Sequence, residues 1–133
     1  MKNTIKYLIT SLLIGCAFTQ GPVLLASDVK PIIQVQTIDT HGNTAEYLRL
    51  VKAVIERQNE VIPGLPTKVY RADWAGPNAG LVYVVVEFKG LAHMEEAIAQ
   101  LGADAEWKRR VAEMTEKTGR TIVSSSLLRD VTP

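Results

Sequence analysis

Residues 81–88 read LVYVVVEF. Leu81, Tyr83 and Val85 alternate with Val82, Val84 and Val86, so an extended chain here is apolar on both sides. A β-branched and aromatic run of this length specifies a strand. A strand apolar on both faces belongs inside a sheet. Upstream, residues 67–74 (TKVYRADW) read as a second strand, and residues 75–80 (AGPNAG) as the turn that joins the two in a long-looped hairpin. Residues 31–40 (PIIQVQTIDT) are β-branched and partly alternating. They predict another strand, with Ile33 and Val35 on one face and Gln34 and Gln36 on the other. The last strand is residues 120–131 (RTIVSSSLLRDV).

Two helical patterns separate these strands. Tyr47, Leu48, Val51, Val54 and Ile55 recur at helical spacing, with Glu46, Arg49, Lys52, Glu56 and Arg57 turned away. Asn43 or Thr44 can cap this helix, and Pro63-Gly64-Leu65-Pro66 ends it. The second helix opens at Gly90-Leu91, with Met94, Ala97, Ile98 and Leu101 on one stripe. Gly102-Ala103-Asp104 interrupts it. Asp104 can cap a new turn, after which Trp107, Val111 and Met114 form a second stripe that Gly119 stops.

The order βαββαβ is the ferredoxin-like split arrangement: an α+β fold with a four-stranded antiparallel sheet and two helices on one face. The other face is left bare. Gln34, Gln36 and the strand serines Ser124, Ser125 and Ser126 suit water, but Leu81, Tyr83 and Val85 do not. An apolar sheet face of several hundred Å² needs a cover. A second copy, packed sheet to sheet, is the simplest one, and it makes Leu81, Tyr83 and Val85 the expected homodimer interface.

The chain has 133 residues, enough for one domain and a short appendage. Its 15 Lys+Arg and 14 Asp+Glu give a formal charge of +1. Without Lys2 and Lys6 it carries one net negative charge, too weak a field to hold nucleic acid or an anionic membrane. The first 27 residues, MKNTIKYLITSLLIGCAFTQGPVLLAS, place two lysines before an apolar stretch and contain no acid, which is the secretory pattern. Cleavage after Ala26 or Ser27 leaves residues 28–133 as a domain with no membrane span, in the periplasm or outside the cell. Two alternatives use the same segment. Leu13-Ile14-Gly15-Cys16 resembles a lipobox, which would make Cys16 a lipid-bearing N-terminus. Left uncleaved, residues 7–26 would just reach across a bilayer of about 30 Å, although Gln20, Gly21 and Pro22 weaken that span.

Residues 81–133 carry a more specific pattern. A valine-rich strand ends in Glu87-Phe88 and leads to a helix of small residues. Next comes the element Ala103-Asp104-Ala105-Glu106-Trp107, and the closing strand ends in Ser126-Leu127-Leu128 with Pro133 after it. This resembles the second half of a dimeric α+β barrel protein of the NIPSNAP-type and antibiotic-biosynthesis-monooxygenase-like groups. The first half matches only in its strand–helix pattern. The resemblance implies a homodimer, in some relatives with a cavity between helices and sheet for small, largely apolar molecules. Some relatives oxidise polyketide or haem substrates, the haem-degrading ones with an Asn, a Trp and a His around the cavity. This chain offers Asn43, Asn59, Asn78, Trp74, Trp107, His41 and His93.

Four residues stand out as candidate ligand contacts: Trp74 at a strand end, Tyr83 and Glu87 on one face of the central strand, and His93 one turn into the second helix. Glu87 would need a partner if buried, and Arg71 on the neighbouring strand is a candidate. His41 beside Asp39 could form a tuned base, though a loop position favours plain solvation. Trp107 lies on a core stripe and suits packing. The serines have no nucleophile elbow, the glycines no phosphate-loop spacing, and Lys108-Arg109-Arg110 is a solvated helix face among Glu106, Glu113 and Glu116. One cysteine and two histidines leave little for a metal site. The residues therefore suggest a binding domain with no cofactor, for a small apolar ligand or a partner. The rival is a cofactor-independent or haem-linked monooxygenase, with its catalytic residues unassigned.

Overall fold

In the computed structural model, which describes residues 30–74 and 76–132, the central hairpin strand sits inside an antiparallel sheet. The elements follow the expected order: β1 (Ile32–Asp39), α1 (Thr44–Val61), β2 (Thr67–Arg71), β3 (Val82–Phe88), α2 (Leu91–Ala103), α3 (Ala105–Thr118) and β4 (Thr121–Arg129). The sheet runs β2-β3-β1-β4. This is the ferredoxin-like α+β fold, its second helix delivered in two pieces. The expected secretory segment, residues 1–27, and Cys16 within it lie outside the described residues. Among the described residues no helix is long and apolar enough to cross a membrane.

Pairing of β1 with β3 sets the core. Ile38 lies opposite Val82, and both are 0% exposed. Ile32 lies opposite Phe88 at the far end of the same face, and both are buried. Each such side chain contributes about 1.5–3 kcal/mol by leaving water. The two pairs seed separate clusters. One gathers Tyr47, Leu50, Val51, Val54, Leu101, Trp107 and Met114 around Ile38 and Val82; the other gathers Leu65, Met94 and Ala97 around Ile32 and Phe88.

This register corrects the expected parity of β1. Side chains alternate faces along a strand. With Ile32 and Ile38 inward, Gln34 and Gln36 are inward too, while Ile33 and Val35 join the outer face with Tyr83 and Val85. The stripe of α1 is also rotated from the expected one: Leu50 and Gln58 are buried, whereas Leu48 is exposed. Gln58 reaches down to the sheet, its Nε2 donating to Thr67 Oγ1 at 2.6 Å.

Three tethers hold α1 antiparallel to α3. Asn43 does not cap α1 with its side chain; its Nδ2 donates to the Thr118 carbonyl at the far end of α3 (3.1 Å). Midway, Arg110 Nη1 donates to the Ala53 carbonyl at 2.8 Å. At the other end Arg57 donates to both Asp104 oxygens, from Nε at 3.1 Å and Nη2 at 2.6 Å. Asp104 also accepts from the Trp107 N–H at 2.6 Å, which caps α3. Gly119, in the left-handed conformation at φ 63°, closes the same helix.

The Arg57 guanidinium and the Trp107 N–H hold the Asp104 carboxyl down at about 2. Arg109 and Arg110 do the same for Glu106, also to about 2. Folded values depressed below the unfolded ones give stability that is complete above roughly pH 4 and drains away as pH falls towards 2. Asp104→Ala removes a helix cap and an ion pair together, so thermal unfolding is expected to come about 4–8 °C earlier near neutral pH. The deficit should shrink as pH falls from about 4 towards 2, where the native carboxylate is protonated as well. An equal deficit across that range would show that Asp104 acts through packing alone.

Candidate functional site

A cavity of about 610 Å³ lies between the sheet and the helices. Its wall draws on both core clusters. The floor is the middle of the β1–β3 ladder, where Gln34 pairs with Val86 and Gln36 with Val84. The roof is formed by Val51, Val54 and Ile55 of α1, Ile98 and Leu101 of α2, and Trp107 and Val111 of α3. The sheet meets the helices through the buried Ile32–Phe88 and Ile38–Val82 pairs at the ends of the ladder, and only partly buried valines and flexible glutamines occupy the middle. That distribution leaves a gap in place of the close packing usual in a core.

Most of the wall is apolar, with a few polar groups. Trp107 is buried, and its indole N–H is the only buried side-chain polar atom among the described residues that lacks a hydrogen-bond partner. Tyr47 is almost wholly enclosed, and burial pushes its hydroxyl above the ordinary tyrosine range despite the neighbouring Arg120. Arg120, between α3 and β4, is half-buried at the wall and donates from Nε to Thr115 Oγ1 at 3.1 Å. Burial draws its guanidinium below the usual arginine range.

None of the four residues singled out from the sequence contributes to this wall. Trp74 is 100% exposed in the β2–β3 connection, because β2 ends three residues earlier at Arg71. Tyr83 and Glu87 share the parity of Val85 on the outer face. Glu87 is exposed opposite Ile33, and its N–H donates to the Pro66 carbonyl. The suggested Arg71–Glu87 pair does not form. Antiparallel register puts Arg71 opposite Val82, at the other end of the hairpin, where it bonds Asp73 at 3.1 Å. His93 sits at the start of α2. Its Nδ1 accepts from the Lys89 N–H at 3.1 Å and its ring stands edge-on to Phe88.

His41 has more company than a loop position suggested. Nδ1 lies 3.5 Å from Asp39, and Nε2 is 3.1 Å from the Thr121 hydroxyl. The order resembles an acid–base–hydroxyl chain, but both ionisable side chains are about half exposed, so water competes for each contact. No group of three or more His, Cys, Asp or Glu among the described residues could hold a metal ion. The residue missed from sequence was Arg120, which follows the helix-stop glycine and carries no motif to mark it.

The sequence matches no family model and no curated protein. Solved structures do match. A NIPSNAP family protein of unknown function from Agrobacterium tumefaciens superposes with a TM-score of 0.63 at 17% identity, covering 78% of this chain and 93% of that one. A second NIPSNAP family protein from the same organism gives 0.60 at 18% identity, over 83% of this chain and 92% of the other. A dimeric ferredoxin-like protein from an uncultured marine organism gives 0.52 at 21% identity, over 78% and 98%. This chain has the ferredoxin-like fold shared by NIPSNAP family proteins.

Proposed function

We propose that this is an exported homodimeric binding domain of the NIPSNAP-like kind, holding a small, largely apolar molecule between its sheet and its helices. The cavity carries this reading. Its volume of about 610 Å³ falls in the range of roughly 300–1,000 Å³ typical of ligand pockets. An apolar wall with a few polar groups is also what such pockets have in common.

The dimer rests on the outer sheet face. Ile33, Val35, Leu81, Tyr83 and Val85 are all only half-buried, and Tyr70 and Leu128 nearby are about half exposed. A sister sheet would cover these groups, and the marine neighbour with this fold is itself dimeric. Export rests on the N-terminal pattern of lysines and apolar residues alone.

Three measurements test the three parts. Trp74→Phe leaves buried Trp107 as the only tryptophan, at the cavity wall. Titrating decanol into that protein should shift its emission saturably, and Val84→Phe, which fills the floor, should abolish the shift while keeping the protein folded. A flat titration in an otherwise folded protein would refute the pocket. On a sizing column the wild type should run as a dimer, and Val85→Lys should raise the dimer dissociation constant by at least about a hundredfold, since a lysine would be desolvated in an apolar interface. A wild type eluting as monomer would defeat the sheet-to-sheet assembly. Intact mass of the natively produced protein should show loss of the first 26 or 27 residues, or lipid on Cys16. An uncut chain found only in the cytoplasm would rule out export.

A further inference from the structure

Arg49, Arg57, Arg71, Arg109 and Arg110 each lie against a carboxylate. Arg120 does not. Among the described residues its guanidinium hydrogen-bonds the Thr115 hydroxyl and neighbours the Tyr47 side chain, and no acid takes part. A guanidinium drawn partly out of water without a counter-charge is costly, and such groups are normally paired. Here the unpaired cation borders an apolar cavity instead. Its planar fork of five donors matches a carboxylate, and the bond to Thr115 uses only the Nε donor. The Tyr47 hydroxyl beside it supplies a further donor. The rest of the wall, with Val54, Val84, Val86, Leu101 and Phe88, is mostly apolar, its uncharged polar groups being three glutamines, the Thr67 and Thr121 hydroxyls and the Trp107 indole N–H. Lys108 also borders the cavity, but it is exposed and solvated.

We infer that the ligand is an amphiphilic monocarboxylate of the fatty-acid kind, its head group on Arg120 and its chain lying between the β1–β3 ladder and the helices. This deepens the reading of the cavity as a ligand pocket and rests on it. The bound carboxylate supplies the anion that the fold withholds from Arg120. The apolar chain fills the space between the two core clusters.

The test compares decanoate with decanol on the Trp74→Phe protein near neutral pH, with Trp107 emission as readout. Decanoate should bind roughly ten- to hundredfold more tightly, the discrimination expected when a charged hydrogen-bonding partner is present or absent. Arg120→Met keeps the apolar stem and removes the charge; it should erase that preference while leaving decanol affinity within about twofold. Arg120→Lys should restore part of the preference, as a point charge without the fork. Equal binding of acid and alcohol by the unaltered site would overturn the Arg120 assignment and leave the apolar pocket standing, as would a preference that survives Arg120→Met. Binding of neither would overturn both. If Arg120→Met fails to fold, the acid–alcohol comparison at native Arg120 still decides.

Discussion

One carboxylate organises the helical layer. Asp104 accepts two bonds from Arg57 and one from the Trp107 backbone, so it joins the C-terminal part of α1 to the first turn of α3. Its side chain is only 17% exposed, and its partners are charged or part of a helix terminus, which makes these bonds stronger than a surface ion pair. Without a break at this point α2 would continue as one straight rod. The break lets α3 turn onto α1, and the Asn43 and Arg110 tethers finish the alignment. A helical layer fastened to itself does not need to sink into the middle of the sheet. It rests on the Ile38–Val82 pair at one end and the Ile32–Phe88 pair at the other, and the cavity is the space it spans.

Much of this was legible in the sequence, for identifiable reasons. Helical and strand periods differ, so the order βαββαβ could be read from spacing alone. Asp104 followed Gly102 and preceded a new apolar stripe, so both the break and its cap were visible. Parity within β1 was not. Ile32 and Ile33 are adjacent, and either could have pointed inward; choosing Ile33 moved both glutamines to the wrong face, the usual cost of a one-residue error in a strand. The stripe of α1 slipped similarly, because Leu48 and Leu50 are both apolar and only the sheet beneath them decides between the two. Trp74 looked like a pocket residue because residues 67–74 read as one strand. Arg71 and Asp73 instead close on each other, and the chain leaves the sheet before Trp74.

Burial in this protein follows where groups are placed more than what they are. Gln34 and Gln36 lie inside while Leu128 lies outside, the reverse of what hydropathy alone would assign. Glutamine on a cavity floor is tolerable because its amide can meet solvent or a ligand there, whereas in a filled core it would have to find protein partners. Leucine on an exposed edge strand is tolerable when another surface is to cover it. The two inversions therefore point the same way: each marks a surface of this chain that is finished by something else.

The two surfaces lie on opposite faces of the same strands, and this arrangement separates them. Val84 and Val86 belong to the cavity, Tyr83 and Val85 to the outer face, and no side chain in β3 serves both. A change at Val85 acts on assembly without changing the floor. A change at Val84 reshapes the floor without touching the outer face. Arg120 stands clear of that strand, at the junction of α3 and β4, where Gly119 turns the chain back toward the sheet. A charge placed there leaves the β1–β3 pairing free to be apolar at both ends. In the middle, the sheet needs only side chains small or flexible enough to leave room for a guest.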